Sequence, residues 1–463
     1  MPQVKMRGEN VFTGGINNEQ STVFVADDES TDEYGFDFDQ YPNRTVRMGK
    51  ANYGASGAAQ TNLMTNFGTN RLIRSVGTKL QQDNSGTWTD FAGTFTDTDW
   101  TATNFEVSGS PALILTNGTD NVQYTTNGTS VADLNAADAP KGKYITSDPS
   151  RVFIAKDQTL YWCKFQDATN WTAAEDSGLA DYFTPDGGNI TALHNFKDIK
   201  YIWKENAMAG LYGVSYFDYR IIEVSNNIGC VSHKTVQEVN GRLFWLGSQD
   251  VYMFTQGNPI PIGNKIVGFL KRINRTYINK CCAFTDGLRY YLCLVIDSST
   301  EPNLRIVWDT RYNRWRVPAY NENLRYGVFF NNDMYVGDSS GQTYKVNSGT
   351  TDNGSAIPWQ YDSKAFSEGI MEAEKEYKEL HVQGEFPSGT TFNVGISTIN
   401  TGGSFTTLSY DPTNAAAYAL NKNIIVPLDT TPLCNWFRYR LSGSGPASLY
   451  SIQRYFRVCR VQR

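Results

Sequence analysis

Three histidines, His194, His233 and His381, stand far apart in a chain of 463 residues. None has a partner at HxH or HExxH spacing, so no histidine metal site is expected. Carboxylates are better placed for chemistry. Asp97 with Asp99, and Asp37 with Asp39, follow x-D-x-D spacing, and Asp309 follows Trp308. Alternate residues of a strand share a face, so such pairs suit calcium binding or acid/base work. Both pairs lie in polar, Thr- and Gly-rich stretches, where solvated loops are the ordinary outcome. The seven cysteines are odd in number and sit mostly in apolar stretches, with no CxxC spacing. They read as reduced, buried thiols made in a reducing cytosol, and no disulfide is expected. The adjacent Cys281 and Cys282 cannot share one strand face, so one thiol is expected inward and the other toward a neighbouring layer. No nucleophile elbow, phosphate loop or dinucleotide fingerprint occurs. The reading is therefore of no catalytic residue, no cofactor, no metal and no enzyme.

What would position such residues is a repeated hairpin. In Gly241 to Ile262, "GRLFWLGSQDVYMFTQGNPIPI", Leu243 and Trp245 precede a Gly247–Asp250 turn and Tyr252 and Phe254 follow it. That is a hairpin pattern. "SRVFIAKDQTLYWCKF" (Ser150 to Phe165), "PALILTNGTDNVQYTTNG" (Pro111 to Gly128) and "NNDMYVGDSSGQTYKV" (Asn331 to Val346) have the same layout. Units of about 40–50 residues over this region predict six or seven four-stranded sheets. A four-stranded unit buries both faces only by stacking on others, and radial stacking leaves short edges. The expected fold is all-β: a β-propeller over residues 61–350, with a β-sandwich array or a β-solenoid as the competing readings, and a small β-sandwich over 351–463. Residues 1–60 read as an extended N-terminal arm lying on the propeller or on a neighbouring subunit. One amphipathic helical segment is expected in "GNKIVGFLKRINR", where Ile266, Phe269, Leu270 and Ile273 follow i, i+3, i+4, i+7 spacing. The charged run Glu372 to Glu379 is left open between a short helix and a strand.

Composition agrees with an all-β chain. Aromatic residues make up 13% and glycines number 40, which suits pleated surfaces and tight turns. Asp and Glu number 47 against 41 Lys and Arg, a net charge of −6. That balance speaks against a surface that grips nucleic acid. The acids concentrate near the N-terminus, where Asp27, Asp28, Glu29, Asp32, Glu33, Asp37 and Asp39 form a candidate acidic channel lining or subunit-contact arm. The C-terminal stretch is basic, so the two ends could attract each other. No apolar run approaches the length of a membrane-spanning helix, and "MPQVKMRGENVFTGG" lacks the apolar core of a secretory signal.

Several phrases resemble, as an ordered set, the β-propeller proteins of tailed-phage tails. "FTGGINNEQSTVFVADDESTDEYGFDFDQYPNRTVRMG" resembles the family's opening segment. "LYWCKFQDATNWTAA", "GGNITALHNFKDIKYIWKENAMAGLYG", "GRLFWLGSQDVYMFTQGNPIPIGNKI" and "LRIVWDTRYNRWRVP" are similar to its successive blade phrases. "YKELHVQGEF" and "WFRYRLSGSGPASL" resemble its closing sandwich. The resemblance implies a structural virion protein of a short-tailed phage, of the tail-nozzle, hub or adaptor kind, made in the host cytoplasm. It implies a homo-oligomeric ring, a hexamer, that docks other tail proteins (adaptor, fibre or needle) and lets the genome DNA pass without specific binding. The alternative is a propeller-type tail protein that binds or cleaves host glycans.

Overall fold

A computed structural model describes residues 5–174, 176–185, 187–398, 403–408 and 422–461. The chain is all-β, with 49% strand and 4% helix. The two-residue turns explain the repetition. Ser108-Gly109, Lys197-Asp198, Asn240-Gly241 and Asn331-Asn332 each hold two successive residues at positive φ. Turns of that hand match the twist of the strands they join. Each of these four connects the first and second strands of a sheet.

Seven such sheets follow one another. Their first strands are Thr61–Phe67, Thr101–Val107, Tyr144–Ser147, Ala192–Phe196, Gln237–Val239, Cys282–Thr285 and Leu324–Phe330. The first six sheets take their four strands consecutively from the chain. The seventh takes three consecutively and gains Lys50–Asn52 from the N-terminal region as its fourth.

Successive sheets share apolar clusters because their strands are apolar on both faces. On the Arg242–Leu246 strand, Leu243 and Trp245 join a cluster with the fourth sheet, while Phe244 and Leu246 join one with the sixth. Cys281 and Cys282 likewise enter different clusters, as their adjacency requires. The seventh sheet meets the first: Phe330 and Tyr335 pack with Met64 and Leu72. There Arg74 of the first sheet donates to the Thr343 hydroxyl at 2.9 Å, with both residues buried. The helical segment is short, Asn264–Ile266 then Val267–Lys271, and seats Ile266, Phe269, Leu270 and Ile273 between the fifth and sixth sheets.

Residues beyond the seventh sheet form two further sheets that share one apolar cluster. The run left open becomes the strand Ala373–Glu385. Its Ala373, Lys375, Tyr377, Leu380 and Val382 turn inward, with register shifts absorbing the break in alternation.

The N-terminal region differs from expectation. It is no separate arm lying on a surface. Lys5–Val11 and Arg44–Val46 pair with Ser448–Val461, Phe36–Asp37 pairs with Arg44–Val46, and Asp32–Tyr34 pairs with Pro358–Asp362. Lys50–Asn52 then enters the seventh sheet. The region is thus woven into both C-terminal sheets and the last repeat. The reason is apolar: Phe12, Phe36 and Val46 complete the C-terminal cluster.

A buried ion pair fixes this weave. Arg44 Nη1 lies 2.8 Å from Glu33 Oε2 with both side chains fully buried, a charge contact poorly angled for a hydrogen bond. Arg44 Nη2 donates to the Gly14 carbonyl at 2.6 Å, and the guanidinium lies 4.6 Å from the Tyr361 ring centroid. Arg44→Met strands Glu33 as a lone buried charge and is expected to cost about 3–5 kcal/mol. Adding Glu33→Leu should recover most of that loss, because an apolar pair replaces a buried ion pair at little cost. Denaturant unfolding of the two variants checks both expectations.

Candidate functional site

Charged side chains gather where the first strands of the seven sheets begin. Asp99, just before the second sheet, accepts from Lys234 of the fifth at 3.0 Å and from Arg325 of the seventh at 2.9 Å. Arg325 also pairs with Glu301 of the sixth sheet at 3.1 Å, and its Nε donates to the Thr61 carbonyl of the first at 2.9 Å. Lys280 donates to Glu301 in turn. Around them, lead-in hydroxyls bond the next sheet's lead-in backbone. Thr101 donates to Lys143 O, Thr191 to Cys230 O, and Ser232 to Cys281 O.

Electrostatics follow from burial and pairing. Burial alone would raise the Asp99 carboxyl, but Lys234 and Arg325 outweigh it and hold it below its ordinary value. Lys234 and Arg325 are 7% and 4% exposed, so Asp99, with Glu301 on Arg325, keeps two buried cations compensated. His233 lies against Tyr144, with ring centroids 4.8 Å apart and the rings tilted by 42°. Burial first, then His194 and the nearby lysines, push His233 down to about 3, and burial pushes His194 down to about 4. Both rings are therefore neutral at pH 7. The cavity bounded by Asp99, Tyr144, His233, Lys234 and Tyr326 has a volume of about 60 Å³, room for a few water molecules and well short of a small-molecule pocket of about 300–1,000 Å³. The arrangement suits fastening sheets together rather than holding a substrate.

The carboxylates singled out by spacing separate into other roles. Asp97 accepts from Asn62 and Gln60, so Asp97 and Asp99 serve different partners. Asp309 is buried against Arg311, at 2.5 Å. Of the acidic arm, Glu29, Glu33 and Asp37 are buried within this chain, which corrects their assignment to a channel lining or subunit contact. Glu29 accepts from Asn17 and pairs with Lys265, Glu33 pairs with Arg44, and Asp37 pairs with Arg289. Asp39 shares Arg289, at 2.6 Å. Asp28 accepts from Thr13 and Asp32 faces Asp362 across two strands. Asp27 is well exposed and pairs with Lys364 at 2.8 Å. The chain ends do meet, but through the Lys5–Val11 ladder; the basic residues Arg440, Arg454 and Arg457 pair with Asp362, Glu368 and Glu376. Among the described residues no group of three or more His, Cys, Asp or Glu is placed to hold a metal ion, and no helix is long and apolar enough to cross a membrane.

Spacing could not reveal the Asp99 partners, which lie 135 and 226 residues away. The signal that was present is the recurrence of Thr or Ser at the lead-in to successive sheets.

No family model and no curated protein matches the chain. Solved structures similar to it include the extracellular domain of BT4673 from B. thetaiotaomicron, at 10% identity and a TM-score of 0.45. The match covers 64% of this chain and 39% of that one. The extracellular domain of BT3049 from the same organism matches at 11% identity and 0.44, covering 64% and 41%. The computationally designed Ika8 protein matches at 9% identity and 0.39, covering 63% and 98%. The chain thus spans about two-fifths of each natural structure.

Among the described residues, Asp99→Asn removes the one carboxylate that Lys234 is bonded to and one of two bonded to Arg325. A loss of about 1.5–3 kcal/mol is expected at neutral pH, as for hydrogen bonds to charged groups, because both cations are buried while Asp99 itself is 30% exposed. Because the Asp99 carboxyl is held below 3.8, its contribution is present above that pH and is lost as pH falls through the depressed value. The difference between wild type and variant should therefore narrow in strong acid. Thermal or urea unfolding across pH checks both the size and the sign.

Proposed function

We propose that the seven sheets close as a β-propeller joined to a C-terminal β-sandwich, and that the chain is a structural, non-enzymatic component of a bacteriophage tail. Closure is supported by the shared cluster between the seventh and first sheets and by the Arg74–Thr343 bond. The sandwich is supported by two sheets with one apolar cluster between them. The observation that carries the functional reading is the Asp99 layer. It ties residues from distant repeats into a network of ion pairs around a cavity of about 60 Å³, which fits a rigid scaffold. The ordered resemblance to tail propeller proteins gives the scaffold its place.

In this reading the space among the first strands of one chain is occupied by its own side chains. The genome path therefore lies between copies arranged in a closed ring. A net charge of −6 suits a conduit that releases DNA, since duplex bound through Lys and Arg would be retained in a salt-dependent way. The surfaces of the ring dock the other tail proteins.

The full chain, purified and imaged as class averages, is expected to form a closed ring of several copies. Filter binding of duplex DNA at about 0.01 M salt, where charge attraction is least screened, should show no retention. A monomer at all concentrations, or tight DNA binding that weakens steeply with salt, would overturn the reading.

A further inference from the structure

Val214 and Phe217 are the two most exposed large apolar side chains among the described residues, at 86% and 80%. Both lie on the loop that joins Met208–Tyr212 to Arg220–Ser225, the last two strands of the fourth sheet. Tyr216 and Tyr219 of the same loop pack against the cluster shared by the third and fourth sheets, where Tyr219 meets the Trp162 ring edge-on at 5.1 Å. Asp218 closes the turn by accepting from the Ser215 amide at 2.7 Å and the Ser215 hydroxyl at 3.0 Å. The loop is thus anchored on one side and presents an apolar knob on the other. Among the described residues no cation is bonded to Asp218.

The C-terminal body carries a groove of about 390 Å³. Val23, Ala365 and Trp436 give it apolar walls, and Arg438 stands beside them. Arg438 donates to the Thr31 hydroxyl at 2.8 Å and the Ser363 carbonyl at 3.2 Å, and among the described residues it is bonded to no acid. The knob therefore has a carboxylate next to it and the groove a guanidinium, which makes the two complementary in charge as well as in shape.

In the closed arrangement proposed above, one chain keeps knob and groove apart. The C-terminal body lies along the outer edge of the sixth and seventh sheets. Asp32–Tyr34 and Phe36–Asp37 touch Arg314–Tyr320, the last strand of the sixth, and Lys50–Asn52 joins the seventh. The third sheet is three places away from each of these in the order of seven, across the propeller. A knob and a groove on different surfaces of one chain meet as a head-to-tail contact between copies, the kind that generates a ring when its rotation closes.

We propose that the Val214 and Phe217 loop of one copy seats in the Val23 and Trp436 groove of the next, and that this contact builds the ring. The inference rests on the ring reading above and names its interface. Aromatic anchors in desolvated pockets carry most of the energy of an interface, which gives Phe217 the central part, with Asp218 and Arg438 at its rim.

Analytical ultracentrifugation of the full chain over a range of concentrations tests this. The wild type is expected as a ring of several copies. Phe217→Glu is expected as single chains of 51.8 kDa, with association weakened by at least about thirtyfold. Val23→Glu should do the same from the groove side. Ile260→Glu, at an exposed apolar residue of the fifth sheet, should leave the ring intact. Val214→Asp repeats the knob test if circular dichroism shows Phe217→Glu to be unfolded. A wild-type monomer overturns the ring and this interface together. A wild-type ring that survives the knob or the groove substitution at full strength, or that Ile260→Glu also breaks, overturns the interface and leaves the ring standing.

Discussion

A four-stranded sheet that is apolar on both faces needs a neighbour on each side. Every repeat of this chain is under that constraint. Trp245 and Phe244 sit on opposite faces of one strand and are both fully buried, in different clusters. At about 25 cal/mol per Å² of apolar surface, leaving either face open would remove most of what holds a unit of this size together. A linear stack satisfies the inner units and exposes the two outer ones. Phe330 and Tyr335 pack with Met64 and Leu72, the contact on which the proposed closure rests.

Polar groups then face a second constraint. Bringing the starts of several sheets together buries cations and lead-in backbone, which are costly unless paired. Asp99, Glu301 and the lead-in hydroxyls meet that need. The joint to the C-terminal body repeats the solution with Arg44 and Glu33, and Arg316 inserts there against the carbonyls of Asp37 and Phe12. Arg316 has Asp37 and Glu33 nearby but Arg44 close too, and burial pushes its guanidinium down to about 9.

How much of this was legible in the sequence depends on how local each contact is. Hairpins were readable because their turn chemistry and alternation lie within about ten residues. The helical stripe of Ile266, Phe269, Leu270 and Ile273 was readable for the same reason, while the repeats could be read only as six or seven. The N-terminal weave was not, since Phe36–Asp37 and Arg44–Val46 are two and three residues long and most of their sheet partners come from the far end of the chain. Lys50–Asn52 completing the seventh sheet was hidden in the same way. Acidic residues misled by composition. A cluster of seven near the N-terminus looked like surface, but burial and pairing depend on Arg44, Arg289 and Lys265, whose approach no local pattern encodes. Asp99 drew notice for its spacing to Asp97, whereas its role comes from Lys234 and Arg325.

Closure of the seventh sheet on the first is the claim on which the rest stands. The Arg74–Thr343 hydrogen bond spans that seam between two buried side chains. A double-mutant cycle with Arg74→Met and Thr343→Val, followed by denaturant unfolding, measures whether the two residues feel each other. A closed seam predicts a coupling of about 0.5–3 kcal/mol. Additivity within about 0.3–0.5 kcal/mol would mean that the first and seventh sheets do not meet, and closure would be contradicted.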